Sequence, residues 1–269
     1  MTIALLPIAA DVERRLSGVP LLLMLDIDGT LAPLAPTPDR AVVPPATERL
    51  LDRLSALPDS HVALVTGRSA ADARRMVATR DLWIIGNHGV ELRSPGGETT
   101  VDQDAMRYRE TMAAAIAEIQ AMLSGFPGVF FEDKRWTASL HYRLADPAVA
   151  STLGDLFAEV VERHGLYMSE GKKVFEMKPP VRVNKGTAVL ALARKIVGSA
   201  TSAGSPTMIF AGDDITDEDA FKELRGHAPS AVTIRVTEDG RMATDAEFRV
   251  RNPDDLRIFL EWLVAARAA

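Results

Sequence analysis

Residues 21–30 read LLLMLDIDGT, and the fold of the chain turns on this stretch. Leu21–Leu25 is an unbroken apolar run, the pattern of a strand buried on both faces of a parallel sheet. It stops at Asp26, with Asp28 and Gly29 close behind. In open parallel sheets ligands bind beyond the carboxyl ends of the strands. Two carboxylates two positions apart project to the same side while the chain is still extended, and Gly29 lets the backbone turn sharply afterwards. Taken alone, Asp-x-Asp-Gly fits a binding site and an exposed turn equally.

Outward from there, the spacing of apolar residues predicts a helix over 47–57, a strand over 61–66, a helix over 69–77 and a strand over 82–85. Strand and helix alternating in this way form βαβ units and a parallel sheet. The rhythm breaks after Glu91, where 94–100 (SPGGETT) reads as a loop or hairpin tip. A helix over 105–123, strands over 129–131 and 137–142, a helix over 147–164 and strands over 166–168 and 174–177 follow. The first rhythm then resumes with a helix over 185–196, a strand over 207–211, a helix over 217–224, strands over 231–236 and 247–250, and a helix over 253–266. The expected fold class is α/β: a Rossmann-like parallel-sheet core from 1–105 and 179–269, with a smaller α/β cap domain, 106–178, inserted into it.

Composition narrows the chemistry. The 269 residues carry a net charge of −6 and no cysteine. Without cysteine there is no disulfide scaffold, thiolate zinc site or cysteine nucleophile. The mild acidity argues against a dedicated nucleic-acid binder, and a chain rich in carboxylates has some to give to a metal. The strongest apolar run falls far short of the roughly 20 residues of a membrane helix. No Lys or Arg precedes the short apolar N-terminus, so no secretory signal is expected. The expectation is a cytoplasmic monomer that engages neither nucleic acid nor membrane.

A second acidic cluster, Gly212-Asp213-Asp214-Ile215-Thr216-Asp217-Glu218, again follows a buried apolar strand. Asp217 has a plain alternative as a helix cap. Adjacent carboxylates repel each other, however, and a hard divalent cation relieves the repulsion. Two acidic strand ends in one parallel sheet can therefore form one Mg²⁺ site. Thr66-Gly67-Arg68-Ser69 offers a hydroxyl and free N–H groups at a helix entrance, which suits a phosphate oxygen as well as it suits a cap. Lys185 opens another helix without P-loop spacing.

In this order, Asp26 to Thr30, Thr66-Gly67-Arg68, the isolated Lys185 and Gly212 to Asp217 resemble the haloacid-dehalogenase-type phosphatases. The stretches 86–91 (GNHGVE), 139–143 (SLHYR), 171–179 (GKKVFEMKP) and 212–218 narrow the resemblance to the trehalose-6-phosphate phosphatase family. The resemblance implies Asp26 as nucleophile, Asp28 as general acid and base, Thr66 as a phosphate ligand and Lys185 as the group that neutralises the phosphate. It implies Mg²⁺ held by Asp26, the carbonyl of Asp28, and Asp213, with Asp214 on a bound water or one shell out. It implies a cap over this site whose Glu132, Lys134, Arg143, Lys172 and Glu176 contact the sugar. Arg68, Asn87, His88 and Glu91 would bind substrate from the core side. The implied substrate is a sugar phosphate, trehalose 6-phosphate. Two enzymatic alternatives are a phosphatase of another sugar phosphate, such as sucrose phosphate, and a phosphomutase. A binding module with a dead site would have lost one of Asp26, Asp28, Lys185 or Asp213, and all are present.

Overall fold

The computed structural model describes residues 3–171, 173–199 and 205–268. It divides into two compact units, Met1–Leu34 with Ala41–Thr100 and Val183–Ala269, and Ala35–Arg40 with Val101–Arg182. The divisions at 100/101 and 182/183 fall a few residues from the 105/106 and 178/179 boundaries expected from the sequence.

The sheet of the first unit runs in the order Ile3–Ala4, Phe248–Val250, Val232–Val236, Thr207–Gly212, Leu21–Leu25, Ser60–Val65, Trp83–Gly86, Glu91–Arg93, Thr99–Val101. Every pairing from Ile3–Ala4 to Trp83–Gly86 is parallel, and Glu91–Arg93 then turns back antiparallel. Successive side chains of a strand point to opposite faces, so an all-apolar strand needs a core on both. Leu21, Leu23 and Leu25 join Val62, Leu64, Ile209 and the Leu256, Phe259 and Leu263 stripe of helix Pro253–Ala268. Leu22 and Met24 join Ala63, Val65 and Phe210 under Val189 and Leu192 of helix Lys185–Ser199 and Phe221 of helix Asp217–His227.

Strand order decides where the site lies. The chain builds outward from Leu21–Leu25 in one direction through Ser60–Val65, and in the other through Thr207–Gly212. The cleft between Leu21–Leu25 and Thr207–Gly212 is thus the topological switch point, where ligands of open α/β sheets bind. Because the two strands are parallel, Asp26 and Asp213 leave the sheet at the same edge, and the Asp26 N–H donates to the carbonyl of Ala211 at 2.9 Å.

The second unit holds an antiparallel sheet in the order Phe130–Asp133, Ala138–His141, Val174–Lys178, Tyr167–Gly171. Helices Arg109–Met122 and Pro147–Arg163 cover one face through Met112, Ile116, Ile119, Leu153 and Phe157, packed on Ala138, Leu140, Phe175 and Met177. Alternation puts Glu132, Ser139 and Glu176 in one register row on the other face.

The structure departs from the sequence reading in several places. The helix expected over 105–123 is two, Gln103–Met106 and Arg109–Met122, because Arg107 and Tyr108 close tighter turns onto the carbonyls of Asp104 and Ala105. The loop expected over 94–100 gives its end to strand Thr99–Val101, on the sheet edge beside Glu91–Arg93. An N-terminal strand Ile3–Ala4 and helix Ala10–Arg15 are too short to show a period in sequence.

The packing sets a measurable cost. Leu23 is fully buried in the central strand, so Leu23→Ala is expected to lose about 2–5 kcal/mol of stability in urea unfolding. Ile258→Ala, at a residue 45% exposed, is expected to stay within about 0.5 kcal/mol of the wild type.

Candidate active site and cation site

At the switch point four charged side chains converge out of water. Asp26 is 4% exposed, Asp213 6%, Asp217 0% and Lys185 2%. The Lys185 Nζ donates to Oδ1 of Asp26 at 2.9 Å and to Oδ1 of Asp217 at 2.7 Å. The second oxygen of Asp217 accepts the backbone N–H of Asp214 at 2.9 Å, so Asp217 ties the lysine to the Asp213–Asp214 loop. Carboxylate oxygens of Asp26, Asp213 and Asp217 all lie within 4.8 Å of one another.

The titration of these groups follows from their crowding. Burial pushes the Asp26 carboxyl well above the usual carboxylate range; Lys185 opposes this, while Asp217, Asp213 and Asp28 add to it. Burial alone would lower the Lys185 ammonium, but Asp217 and Asp26 override it and hold the group above its ordinary value. Three carboxyl groups around one ammonium gather more acidic oxygens than the lysine alone can serve. Oxygen donors in such excess match a hard divalent cation. The backbone makes room for the arrangement at Gly29, whose φ of +87° is one that L side chains rarely adopt. A Cβ there would meet the Asp213 carboxylate at 2.3 Å.

Asp28 lies beside this cluster and has a different partner. Its two oxygens accept from Nε and Nη2 of Arg68 at 2.6 and 2.8 Å, and Nη1 of Arg68 reaches Asp72 at 2.8 Å. Burial works against the Arg68 guanidinium, but the two carboxylates raise it above its already high ordinary value. The Asp28 side chain stays 34% exposed. Thr66 is buried, and its hydroxyl accepts the Arg68 N–H at 3.2 Å.

The segment 86–91 braces this loop. Asn87 and His88 both have positive φ, 48° and 55°, and their N–H groups donate to the carbonyls of Arg68 at 2.7 Å and Thr66 at 3.0 Å. Glu91 accepts from Nδ2 of Asn87 at 2.9 Å and from the Ala70 N–H at 2.8 Å, at the start of helix Ala70–Met76. The His88 ring lies against Gly67, where a Cβ would meet Nε2 at 2.4 Å.

In the second unit, Lys134 Nζ lies 3.6 Å from Glu176 and 4.0 Å from Glu132. Nε2 of His141 is 3.1 Å from Oε2 of Glu132, and the Ser139 hydroxyl reaches Glu176 at 3.5 Å. Arg143 is exposed in the turn beyond. Lys172 lies outside the described residues.

Of the expected cation ligands, the structure brings together Asp26 and Asp213, with Asp217 as their third member. Asp28 turns its carboxylate to Arg68, and Oδ1 of Asp214 accepts the Ile215 N–H at 2.8 Å. The sequence places Asp217 in the acidic cluster without an individual role, and its place four residues after Asp213 was a usable signal. Asp72, which fixes Arg68, carried none.

Comparison with known proteins follows the same lines. A family model described as trehalose-phosphatase matches residues 24–254. The trehalose-phosphate phosphatase of Mycobacterium tuberculosis is 34% identical over 241 residues, 88% of this chain and 60% of that protein. The chain thus spans about three-fifths of the length of the trehalose-phosphate phosphatases it matches. A solved trehalose-6-phosphate phosphatase related protein superposes with a TM-score of 0.78 at 26% identity, over 91% of this chain and 97% of that one. The C-terminal domain of the C. albicans trehalose-6-phosphate phosphatase gives 0.81 at 22% identity, over 98% and 99%. These likenesses bear out the expected fold class, a Rossmann-like α/β core of the haloacid-dehalogenase type.

The buried acidic cluster makes a stability prediction. A carboxyl whose folded pKa is raised makes stability fall as pH rises from its unfolded pKa toward the folded one. At neutral pH and without metal, Asp26 therefore destabilises the fold. Asp26→Asn is expected to raise the metal-free melting temperature at pH 7 by about 2–6 °C. Added Mg²⁺ should shrink the difference between the two proteins in the same melting experiment.

Proposed function

The chain belongs to the trehalose-phosphatase family, and on that premise we propose that it hydrolyses trehalose 6-phosphate to trehalose and phosphate, in trehalose biosynthesis. The observation that carries the reading is the buried Asp26–Lys185–Asp217 chain with Asp213 against it, a nucleophile and its charge partner at one strand end.

The chemistry follows from the residues. An oxygen of Asp26 attacks phosphorus, the bond from phosphorus to the sugar oxygen breaks, and an aspartyl phosphate results. Lys185 opposes the burial that raises the Asp26 carboxyl, holds one of its oxygens in place and offers its charge to the phosphate. Thr66 binds a phosphate oxygen at the entrance of the next helix. Asp28 gives a proton to the departing sugar oxygen and takes one back from the water that hydrolyses the aspartyl phosphate. Arg68 orients Asp28 through its fork, with Asp72 fixing the guanidinium from behind. Asn87 and Glu91 act at one remove, by shaping the loop that carries Thr66 and Arg68.

Mg²⁺ is the cation we assign; Asp26, Asp213 and the carbonyl of Asp28 would hold it, with Asp214 on a bound water or one shell out, while Asp217 completes the acidic cluster and is tied to Lys185 and the Asp214 N–H. When bound, it screens the repulsion between the Asp26 carboxylate and the phosphate dianion. We assign specificity to the inserted segment, 106–178. There Glu132, Lys134 and Glu176 present charged hydrogen-bonding groups suited to the hydroxyls of a disaccharide. Arg143, Lys172 and, from the core, His88 complete the substrate set. The reading includes a cytoplasmic monomer that needs neither nucleic acid nor membrane. Among the described residues no helix is long and apolar enough to cross a membrane.

Phosphate release from a panel of sugar phosphates, with and without Mg²⁺, tests the reading. Trehalose 6-phosphate is expected to be the preferred substrate, with release dependent on Mg²⁺. Asp26→Asn should lower kcat by about 10³-fold or more. Equal release from sucrose phosphate and unrelated sugar phosphates would overturn the substrate assignment, and an isomerised sugar phosphate as product would point to a mutase.

A further inference from the structure

Arg235 lies outside every motif read from the sequence, yet it is almost wholly buried, at 4% exposed. A buried charge is costly unless it is paired and hydrogen-bonded. The parallel register sets Arg235 beside Gly212, the residue before Asp213. From there its Nη1 donates to the backbone carbonyl of Asp214 at 2.7 Å and to Oε1 of Glu218 at 2.9 Å. Glu218 is fixed in turn. Its Oε1 accepts the Thr244 hydroxyl and its Oε2 the Asp245 N–H, both at 2.7 Å. The loop 213–217 is therefore held at two points, by Asp217 on the Asp214 N–H and by Arg235 on the Asp214 carbonyl.

We propose that Arg235 is a positioning residue for the cation site, clamping the Asp214 peptide so that the Asp213 carboxylate faces Asp26. The proposal rests on the reading that Asp26 and Asp213 hold a divalent cation. Electrostatics alone argues for a positioning role over charge balance. A guanidinium beside a cation site repels the incoming cation, so by charge alone Arg235 weakens metal binding. Its benefit to the site has to come through geometry. A single guanidinium nitrogen that holds both a peptide carbonyl and an anchored carboxylate supplies that geometry.

The two roles predict opposite signs. Titration calorimetry of Mg²⁺ into the metal-free protein compares the wild type with Arg235→Met, Arg235→Lys and Thr244→Val. Positioning predicts that both Arg235 variants bind Mg²⁺ about tenfold or more weakly, as removal of an outer-shell partner does. Thr244→Val loosens Glu218 from the far side and leaves the Asp214 carbonyl clamped. It is expected to lower the melting temperature while keeping Mg²⁺ affinity within about twofold of the wild type. Tighter binding by Arg235→Met, or wild-type binding by Arg235→Lys, overturns the proposal and leaves Arg235 as a charge balance. Should Arg235→Met fail to fold, Arg235→Lys decides, since it keeps the charge while its ammonium, one atom shorter on its stem, falls short of the place from which Nη1 reaches both the Asp214 carbonyl and Glu218. A wild type that binds no Mg²⁺ refutes the cation reading itself, a result distinct from any difference among the variants.

Discussion

One ammonium group, Lys185 Nζ, holds the first unit's charged centre together. The open end of the sheet collects Asp26, Asp213 and Asp217 at a place from which water is largely excluded. In such surroundings their mutual repulsion is several times what it is in water. Lys185 bridges two of the three at 2.9 and 2.7 Å. It does so from the first residue of its helix, where the macrodipole is unfavourable to a cation. The two carboxylates outweigh that penalty. The acids that open helix Asp217–His227 meet a favourable dipole instead. The partners of Lys185 come from the end of strand Leu21–Leu25 and the start of helix Asp217–His227, 159 and 32 residues away in the chain. The centre therefore exists only once the sheet is assembled on both sides of the switch point.

This dependence explains what the sequence disclosed and what it withheld. Leu21–Leu25 was legible because a strand buried on both faces has to be apolar at every position. The acidic residues after it and after Thr207–Gly212 were legible because each sits at the end of such a run. Arg235 was not, because it reaches Asp214 and Glu218 through parallel register, and register leaves no trace in local spacing. Asp217 was half legible. Its position in a helix-opening acidic run suggested a cap, and only the folded chain shows that its oxygens go to Lys185 and the Asp214 N–H. The split of the helix expected over 105–123 was hidden for a different reason. Two tight turns at Arg107 and Tyr108 interrupt the helix without proline or glycine to mark them.

Support around the centre is concentrated in one strained turn. Two consecutive left-handed residues, Asn87 and His88, are an uncommon conformation that the surroundings must over-determine. Four hydrogen bonds do so: two backbone bonds to Arg68 and Thr66, and two to the buried Glu91 carboxylate. The strain fixes where Thr66 and Arg68 emerge from strand Ser60–Val65. A loop held only by its own backbone would leave both side chains free to wander on the scale of an ångström, and misplacement of that size is enough to cost catalysis.

Asp26 and Asp28 stand two residues apart, and the fold treats them in opposite ways. Asp26 is buried and tied to a lysine, which suits the fixed nucleophile we propose it to be. Asp28 keeps a third of its side chain in contact with solvent and is tied to an arginine. That pairing orients the carboxylate for the proton exchange we propose for it. A guanidinium stays protonated throughout the working range and cannot compete with the acid it orients. Its fork also fixes the plane of the carboxylate in a way that the single ammonium of a lysine does not. Asp72 on the remaining nitrogen holds Arg68 from behind. Exchanging the two cations would put a proton-donating ammonium beside the acid and a bulky fork into the cleft that holds Asp26 and Asp217. In the mechanism we propose, the division of labour between the two carboxylates is therefore set as much by which cation faces each as by their own positions on the chain.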